Sequence, residues 1–398
     1  MLWHDLPLPS VGDCLAAFHL LRYLHQKHDV TLLSFKQITE KTRQIEDLAQ
    51  YCQIIEPMSI SEPQLQLKQL LLTIKNMLCP QNLLSKNPSF FDFYYSPKMQ
   101  TKVRALLTAT KFDLIYTSEP MALYVQDSSL PKVVHPFDCF TEYSRQRYTN
   151  SKNPWSKFIW WLYYLRTKRY EGNVLKKFDT CIVVNPQEQR TMQSLFPSIN
   201  IVVVPIGVDA EFFKPLNEAE EWPSLIFVGN MFAPYNIDAV LYFYSQVYQE
   251  IRRQLPKLKL YIVGRSPAEE IKRLSSDECV IVTGYVEDVR PYLARACVVI
   301  APFISGTGTK TKVLEAMAMG KPVVSTSIGV RGINVSPGEN AIVADKPAEF
   351  AQRIIELLLD RRLRQEIGRN GRRLVETSYL WEKAAEQLND IFEEITRR

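Results

Sequence analysis

The hydrophobic positions of the chain fall into short β-branched runs, and turn residues or helical stretches separate one run from the next. Such runs are typical of buried parallel strands in an α/β protein. They occupy residues 30–35, 114–116, 133–134, 180–184, 201–204, 225–228, 258–263, 280–283, 298–301, 322–326 and 341–343. From Leu225 onward the alternation is regular enough to predict a doubly wound sheet.

The pattern changes at residues 205–222, where Gly207, Asp209 and Pro215 interrupt it and a new series of strands begins. We place a domain boundary there. The prediction is an N-terminal domain over residues 1–205, a C-terminal domain over residues 206–378 and a final amphipathic helix over residues 379–398.

The first strand of the N-terminal domain is hard to find. A Pro-rich loop at residues 6–13 leads directly into a predicted helix at residues 14–26, so only residues 1–4 remain to form the strand. Either this strand is very short or the true start lies upstream. A missing central strand would leave the backbone groups of its neighbours unpaired.

Composition supports a folded, cytoplasmic enzyme of two domains. The chain has 398 residues, of which 46% are hydrophobic and 23% charged, as in soluble globular proteins. Its apolar stretches are too short to span a bilayer, and its start does not resemble a signal peptide. The 7 cysteines contain no C-x-x-C pair, which argues against a metal site or a disulfide framework and for a reducing compartment.

Positive charge is concentrated at residues 151–178, within a chain whose net charge is +5. The cations there are Lys152, Lys157, Arg166, Lys168, Arg169, Lys176 and Lys177, against the single acid Glu171, and Trp155, Phe158, Trp160, Trp161, Tyr163, Tyr164 and Tyr170 lie between them. A helix of this kind can lie on the anionic face of the inner membrane, from Trp155 to Lys177. Alternatively, the aromatic residues are core and the lysines are solvated. Nucleic-acid binding is disfavoured because no RRM, KH or zinc-finger spacing is present.

The segment at residues 301–326 contains the clearest chemical signal. It reads as a strand, a glycine turn, a helix and a second strand. Gly306 and Gly308 allow a ligand to approach the backbone, and a helix starting near Thr309 offers unpaired N–H groups to an anion. Lys310 and Lys312 fall in its predicted first turn, where a cation opposes the helix dipole. That cost indicates a bound polyanion.

Glu315 lies about one turn further along the same helix. A carboxylate there can accept hydrogen bonds from two adjacent hydroxyls, as on ribose, so the implied ligand is a nucleoside diphosphate. Gly229, Gly264 and Gly284 also follow strands and would gather at the carboxyl edge of the same sheet, where α/β proteins bind ligands. A Gly-x-Gly turn by itself often serves only the geometry of the turn.

Four segments together resemble the retaining sugar-nucleotide glycosyltransferases of family 4, which have the GT-B fold of two facing Rossmann-like domains. They are residues 227–239, 262–264, 283–288 and 306–326. Residues 205–209 resemble the interdomain segment of the family, and Trp381 heads a helix like the one that crosses back to the first domain. The set is most similar to the subgroup associated with bacterial exopolysaccharide gene clusters.

The resemblance assigns Glu315 to the donor ribose. It also exposes two departures. The family's first acid falls at position 307, where this chain has Thr307, and Asn230 and Met231 stand where the family has an Arg/Lys pair. The hydroxyl of Thr307 and the backbone of Gly308 would then contact the donor sugar.

Without the Arg/Lys pair, neutralising the leaving diphosphate falls to Lys310, Lys312 or Arg265. In the N-terminal domain the resemblance places His135 and Asp138 at the cleft and Gly12 near the diphosphate. A histidine after a strand is also common in protein cores.

These features predict a metal-independent glycosyltransferase without a cofactor, which moves a sugar from a nucleoside diphosphate to a glycan or lipid-linked acceptor. Neither a D-x-D metal motif nor a second acid near Glu315, as hydrolases require, is present in the sequence. Two alternatives remain open. One is an epimerase or phosphorylase of the same fold, and the other is a catalytically silent scaffold subunit.

Overall fold

A computed structural model of the chain describes residues 1–7, 12–37, 48–55, 57–60, 94–136, 139–151, 153–306 and 308–397. These residues form two compact units. The first comprises Met1–Pro205 together with Ala384–Arg398, and the second comprises Ile206–Lys383. Each unit is built on a parallel sheet and has its own hydrophobic core. The predicted α/β class is therefore confirmed.

The first unit contains a sheet whose strands all pair in parallel. Their bounds are β1 (Leu2–Trp3), β2 (Thr31–Gln37), β3 (Gln53–Ile54), β4 (Met58–Ile60), β5 (Ile115–Ser118), β6 (Lys132–His135), β7 (Thr180–Val183) and β8 (Ile201–Val203). Their order is β3-β2-β1-β5-β6-β7-β8, and β4 also pairs with β2. The β-branched runs predicted for this part of the chain all form strands.

Strand β1 occupies the central position that the sequence left in question. Leu2 aligns with Leu33 of β2 on one side and with Thr117 of β5 on the other. The side chain of Trp3 is 0% exposed, so this short strand also contributes a large apolar group to the interior. Leu2 and Trp3 therefore form a short strand at this central position of the described sheet.

The helices of the first unit are α1 (Gly12–Leu24), α2 (Pro97–Ala109), α3 (Phe140–Asn150), α4 (Pro154–Val174) and α5 (Pro186–Leu195). Helix α4 is the predicted basic aromatic helix. The side chain of Asn153 caps it by accepting hydrogen bonds from the N–H groups of Trp155 and Ser156. Near its other end the buried carboxylate of Glu171 accepts hydrogen bonds from the N–H groups of Phe140 (2.8 Å) and Thr141 (3.0 Å), which fixes α4 against the start of α3.

The second unit contains strands β9 (Ser224–Val228), β10 (Lys259–Val263), β11 (Val280–Gly284), β12 (Val298–Ala301), β13 (Val323–Ser325) and β14 (Ile342–Val343). They pair in parallel in the order β11-β10-β9-β12-β13-β14, which is a doubly wound arrangement. Its helices are α6 (Pro234–Phe243), α7 (Gln249–Gln254), α8 (Glu269–Arg273), α9 (Arg290–Arg295), α10 (Thr311–Ala318), α11 (Pro347–Leu359) and α12 (Arg361–Ser378).

The loops that follow β9 and β10 lie in direct contact. Gly264 has φ = 150°, and a Cβ added to it would lie 1.7 Å from the carbonyl oxygen of Gly229. Only a residue without a side chain fits there. The carboxyl ends of these two strands are therefore held together by backbone contact, and this edge of the sheet bears most of the residues predicted to bind a ligand.

The C-terminal helix α13 (Trp381–Arg397) packs within the first unit. The side-chain oxygen of Asn389 lies 2.9 Å from Nε2 of His28, and the ring of Phe392 lies 5.4 Å from that of Tyr116, centre to centre. No helix in the described ranges is long and apolar enough to cross a membrane.

Candidate active site

Helix α10 begins two residues later than the sequence indicated. The predicted start was near Thr309, whereas Lys310 is the residue before the first turn, with an extended backbone (φ −87°, ψ 93°), and the helix proper starts at Thr311. Lys310 therefore precedes the first turn, in which it was predicted to lie, and Lys312 lies within it. The glycines ahead of the helix have left-handed backbone angles, 116° at Gly306 and 70° at Gly308, so this turn needs both of them.

The ammonium group of Lys312 lies beside the end of strand β9. Its Nζ donates a hydrogen bond to Oδ1 of Asn236 at 2.7 Å. It also lies 5.2 Å from the ring centres of Phe227 and Phe303, both of which are buried. A Cβ added to Gly229 would lie 2.6 Å from the same Nζ. The lysine therefore occupies space that glycine at position 229 leaves open.

The surroundings of Lys312 disfavour its charged form. Burial lowers the pKa of its amine to about 7, the negative charge of Glu315 acts in the opposite direction, and the positive charge of Lys310 lowers the pKa further. Near neutral pH a large share of the Lys312 side chains is therefore uncharged. A bound anion would restore the charged form.

Lys310 lies on the other side of the glycine turn. It is 7% exposed, and its Nζ donates a hydrogen bond to the carbonyl oxygen of Gly308 at 3.2 Å. The same Nζ lies 5.5 Å from the ring centre of Tyr235 and 5.6 Å from that of Phe303. Both lysines thus contact the ring of Phe303, which brings two cations to one place at the start of α10.

The carboxylate of Glu315 makes no hydrogen bond or ion pair with any residue that the structure describes. Burial raises its pKa to about 7, and the nearby charge of Lys312 lowers it. A partly buried acid without a fixed partner is available to a ligand. Its predicted contact with hydroxyl groups of a ligand stays a prediction.

Three further predicted residues lie in the second unit. Gly229 lies against Lys312 and Asn236, as described above. Thr309 joins the glycine turn to α10. The side chain of Arg265 is exposed, and its carbonyl oxygen accepts a hydrogen bond from the N–H of Met231 at 2.9 Å. Thr307 lies outside the described residues.

The sequence also predicted site residues in the N-terminal domain. His135 ends strand β6, is 3% exposed, and its Nδ1 lies 2.6 Å from the hydroxyl oxygen of Tyr116. Its ring also lies 6.4 Å from that of Trp3, so it is packed in the interior of the first unit. Gly12 is the first residue of α1. Asp138 lies outside the described residues.

Asn236 contacts the candidate site, and the sequence did not reveal this contact. It is 1% exposed, and it lies in the first turn of α6, where its Nδ2 donates a hydrogen bond to the carbonyl oxygen of Asn230 at 2.8 Å. A polar residue at the third position of a helix that begins with Pro234 gives little signal, since polar residues are common in first turns. Its role depends on Lys312, which is 76 residues away in sequence.

The chemistry available at this edge of the sheet follows from charge and position. Two lysines and the N–H groups at the start of α10 present positive charge, and a carboxylate lies one turn further along. An anion next to a hydroxyl-bearing group is the ligand that this arrangement suits.

Two family models match the chain. The model of the group 1 glycosyl transferases matches residues 222–360, and the model of Glycosyltransferase Family 4 matches residues 16–212. The chain belongs to glycosyltransferase family 4. It is therefore a glycosyltransferase, and Glu315, Lys310 and Lys312 lie in the part that the group 1 model covers.

Two related proteins align with more than half of this family 4 chain. A protein of 44.6 kDa from the cps region of Klebsiella pneumoniae is 25% identical over 323 residues, which cover 77% of this chain and 81% of that protein. A GDP-mannose-dependent α-(1-6)-phosphatidylinositol monomannoside mannosyltransferase of Mycobacterium tuberculosis is 26% identical over 238 residues, covering 53% of this chain and 61% of the enzyme.

Solved structures show the same fold. Sucrose-phosphate synthase from Thermosynechococcus elongatus superposes with a TM-score of 0.72 at 17% identity, covering 99% of this chain and 98% of that one. Anabaena HepE in complex with UDP-glucose superposes with a TM-score of 0.65 at 16% identity, covering 99% of each chain. The predicted GT-B fold is thereby confirmed for this family 4 member.

Proposed function

We propose that this glycosyltransferase moves a sugar from a nucleoside-diphosphate sugar to a glycan or lipid-linked acceptor, with retention of anomeric configuration and without a metal ion, in bacterial surface polysaccharide synthesis. The observation that supports it most is the grouping of Lys310, Lys312 and Glu315 around the start of α10. The lysines suit a diphosphate, and the carboxylate suits the hydroxyls of its ribose.

The cations would act where charge develops in the reaction. As the bond between the sugar and the diphosphate breaks, negative charge builds up on the leaving phosphate, and fixed positive groups stabilise that charge. Lys310 and Lys312 and the N–H groups of α10 provide such groups without a metal ion. Glu315 would hold the nucleoside in place and take no part in bond breaking.

The relatives support the finer parts of the proposal. The mycobacterial enzyme is named as a GDP-mannose-dependent α-(1-6) mannosyltransferase that acts on a phosphatidylinositol monomannoside, which favours a nucleotide-sugar donor and a lipid-linked acceptor here. HepE is described in complexes with UDP and with UDP-glucose, which favours a nucleotide-sugar donor here. The cps-region relative favours a role in surface polysaccharide synthesis.

The proposal is tested with the purified chain and a panel of UDP- and GDP-sugars. With one of these donors, we expect release of the nucleoside diphosphate to rise at least about tenfold when a glycan or lipid-linked acceptor is added, and to persist in EDTA. The anomeric configuration of the product, read by NMR, should match that of the donor.

Other results would overturn it. An isomerised nucleotide sugar formed without acceptor would identify an epimerase, and a requirement for orthophosphate would identify a phosphorylase. If the chain neither turns over a donor nor binds UDP or GDP, the scaffold alternative remains. Loss of turnover in EDTA, restored by a divalent cation, would contradict the metal-independent part.

We also propose that helix α4 rests on the anionic inner face of the membrane. Its outward side bears exposed apolar residues at helical spacing, namely Trp155 (77% exposed), Phe158 (49%), Trp161 (38%) and Leu165 (43%). The exposed cations Lys157, Lys168 and Arg169 lie along the same helix, and its single acid, Glu171, is buried. Apolar insertion and positive charge together favour an anionic lipid surface.

Vesicle sedimentation tests this surface. The full chain should bind vesicles of phosphatidylglycerol and phosphatidylethanolamine, and the triple substitution Phe158→Ser, Trp161→Ser and Leu165→Ser should reduce binding at least about fivefold. Leu359→Ser is the matched control, because Leu359 is 66% exposed in the second unit. Equal binding to neutral phosphatidylcholine vesicles, or no loss in the triple variant, would contradict the proposal.

A further inference from the structure

We propose that Asn236 is a positioning residue that holds the ammonium group of Lys312 beside the end of β9, so that helix α10 supplies the diphosphate-neutralising charge that the loop after β9 lacks. This inference rests on the proposed function, because it assigns the cation of the same donor site. It selects Lys312 from the three candidates Lys310, Lys312 and Arg265.

The amide group of Asn236 has a fixed orientation. Its Nδ2 donates to the carbonyl oxygen of Asn230 at 2.8 Å, so its Oδ1 is directed to Nζ of Lys312, at 2.7 Å. Exchanging the two ends of the amide would place a donor against the ammonium group and an acceptor against the carbonyl. Since Asn236 is 1% exposed, water does not replace either partner easily.

Gly229 completes the position. A Cβ there would lie 2.6 Å from Nζ of Lys312 and 3.1 Å from the side-chain amide of Asn236. The lysine thus reaches the backbone at the end of β9 because position 229 has no side chain. The ammonium group of Lys312 thus lies at the carboxyl edge of the sheet, where doubly wound proteins bind their ligands.

The other two candidates are less well placed. Lys310 donates its hydrogen bond to the carbonyl oxygen of Gly308 within its own loop. The side chain of Arg265 is exposed, and the structure shows no hydrogen bond or ion pair between it and a described residue. Lys312 is the candidate that a residue from another element holds in place.

A lysine in this position needs an acceptor. It lies in the first turn of α10, where the helix dipole opposes its charge, and the rings of Phe227 and Phe303 cover it. The charged groups that face it are Glu315, which favours the ammonium form, and Lys310, which opposes it. From α6 the facing group is the uncharged amide of Asn236, which stabilises the ammonium form through its carbonyl oxygen.

The decisive experiment exchanges the two side chains. Oδ1 of Asn236 and Nζ of Lys312 are 2.7 Å apart. The double variant Asn236→Lys with Lys312→Asn is therefore expected to place an ammonium group close to the same position, but from α6 instead of α10. The readouts are kcat and KM for the nucleotide sugar, the affinity for UDP and GDP by calorimetry between pH 6 and pH 9, and the melting temperature.

Lys312→Asn alone should lower kcat about 100-fold, and the double exchange should recover at least about tenfold of that loss. Asn236→Leu should lower kcat about 30-fold and shift the alkaline limb of the binding profile to lower pH, since the ammonium form loses its acceptor. Asn236→Asp should shift that limb to higher pH. A structural role would change the melting temperature and leave these pH profiles in place.

The inference is overturned if the double exchange is no more active than Lys312→Asn, or if Asn236→Leu folds and keeps the profile of the natural chain. Should Asn236→Leu not fold, the Asp variant and the exchange decide the question. Failure of the proposed function looks different, because the natural chain would then isomerise the nucleotide sugar without an acceptor, require orthophosphate, or bind neither UDP nor GDP. Binding that Glu315→Ala weakens, but that the Asn236 variants leave unchanged, would refute the positioning role alone.

Discussion

Replacing Glu315 with alanine is expected to weaken the affinity for the nucleoside diphosphate about 30- to 100-fold, because a carboxylate that accepts two hydroxyl hydrogen bonds is lost. The chain should still fold, since Glu315 has no partner among the described residues whose loss would destabilise it. Calorimetric titration with UDP and GDP measures the change. Unchanged affinity would contradict the assignment of this acid to the donor.

Two companion variants separate binding from stability. Glu315→Gln should raise the melting temperature at pH 8, because burial raises the pKa of this acid to about 7. The folded protein loses stability as the pH rises from the ordinary pKa of 4.5 to the raised value of about 7, and glutamine removes this loss. Glu366→Ala, at an exposed position of α12, is the control and should alter neither affinity nor stability.

Replacing Lys312 with methionine is expected to lower kcat about 100- to 1000-fold, in line with the loss of one fixed group that stabilises developing charge. The pH dependence gives a second signature. Burial lowers the pKa of Lys312 to about 7 and raises that of Glu315 to about 7, so kcat/KM for the donor should peak near neutral pH.

The two limbs of that profile should be separable. Above the peak Lys312 loses its proton and its attraction for the diphosphate, and below the peak Glu315 gains a proton and becomes a weaker acceptor. Lys312→Met should therefore remove the alkaline limb, and Glu315→Gln the acid limb. Because the two groups interact, the measured values belong to the pair. A profile of unchanged shape in both variants would refute these roles.

The strands of the second unit were predictable because each is a short β-branched run that ends at a turn. For strand β1 the sequence showed only that a first strand was expected, because two residues are too few to form a periodic pattern. Its placement depends on pairing with β2 and β5 and on the burial of Trp3, and both are properties of the folded sheet.

Some contacts of the candidate site were predictable from local sequence, and others depend on the fold. Lys312 and Glu315 are three residues apart on one helix, so local spacing predicted that they act together. Asn236 and Phe227 reach Lys312 from elements distant in sequence, and no local pattern announces that contact. A histidine at a strand end looks the same in sequence whatever its ring contacts, so the contact between His135 and the hydroxyl of Tyr116 could not be predicted.

Because Gly229 has no side chain, positions 229, 236 and 312 depend on one another although they lie far apart in sequence. A larger residue there, a shorter one at 312 or an apolar one at 236 would each disable the same cation. We therefore expect a change at one of these positions to need a compensating change at the others, whereas redesign of donor preference that keeps all three residues can alter the neighbouring loops more freely.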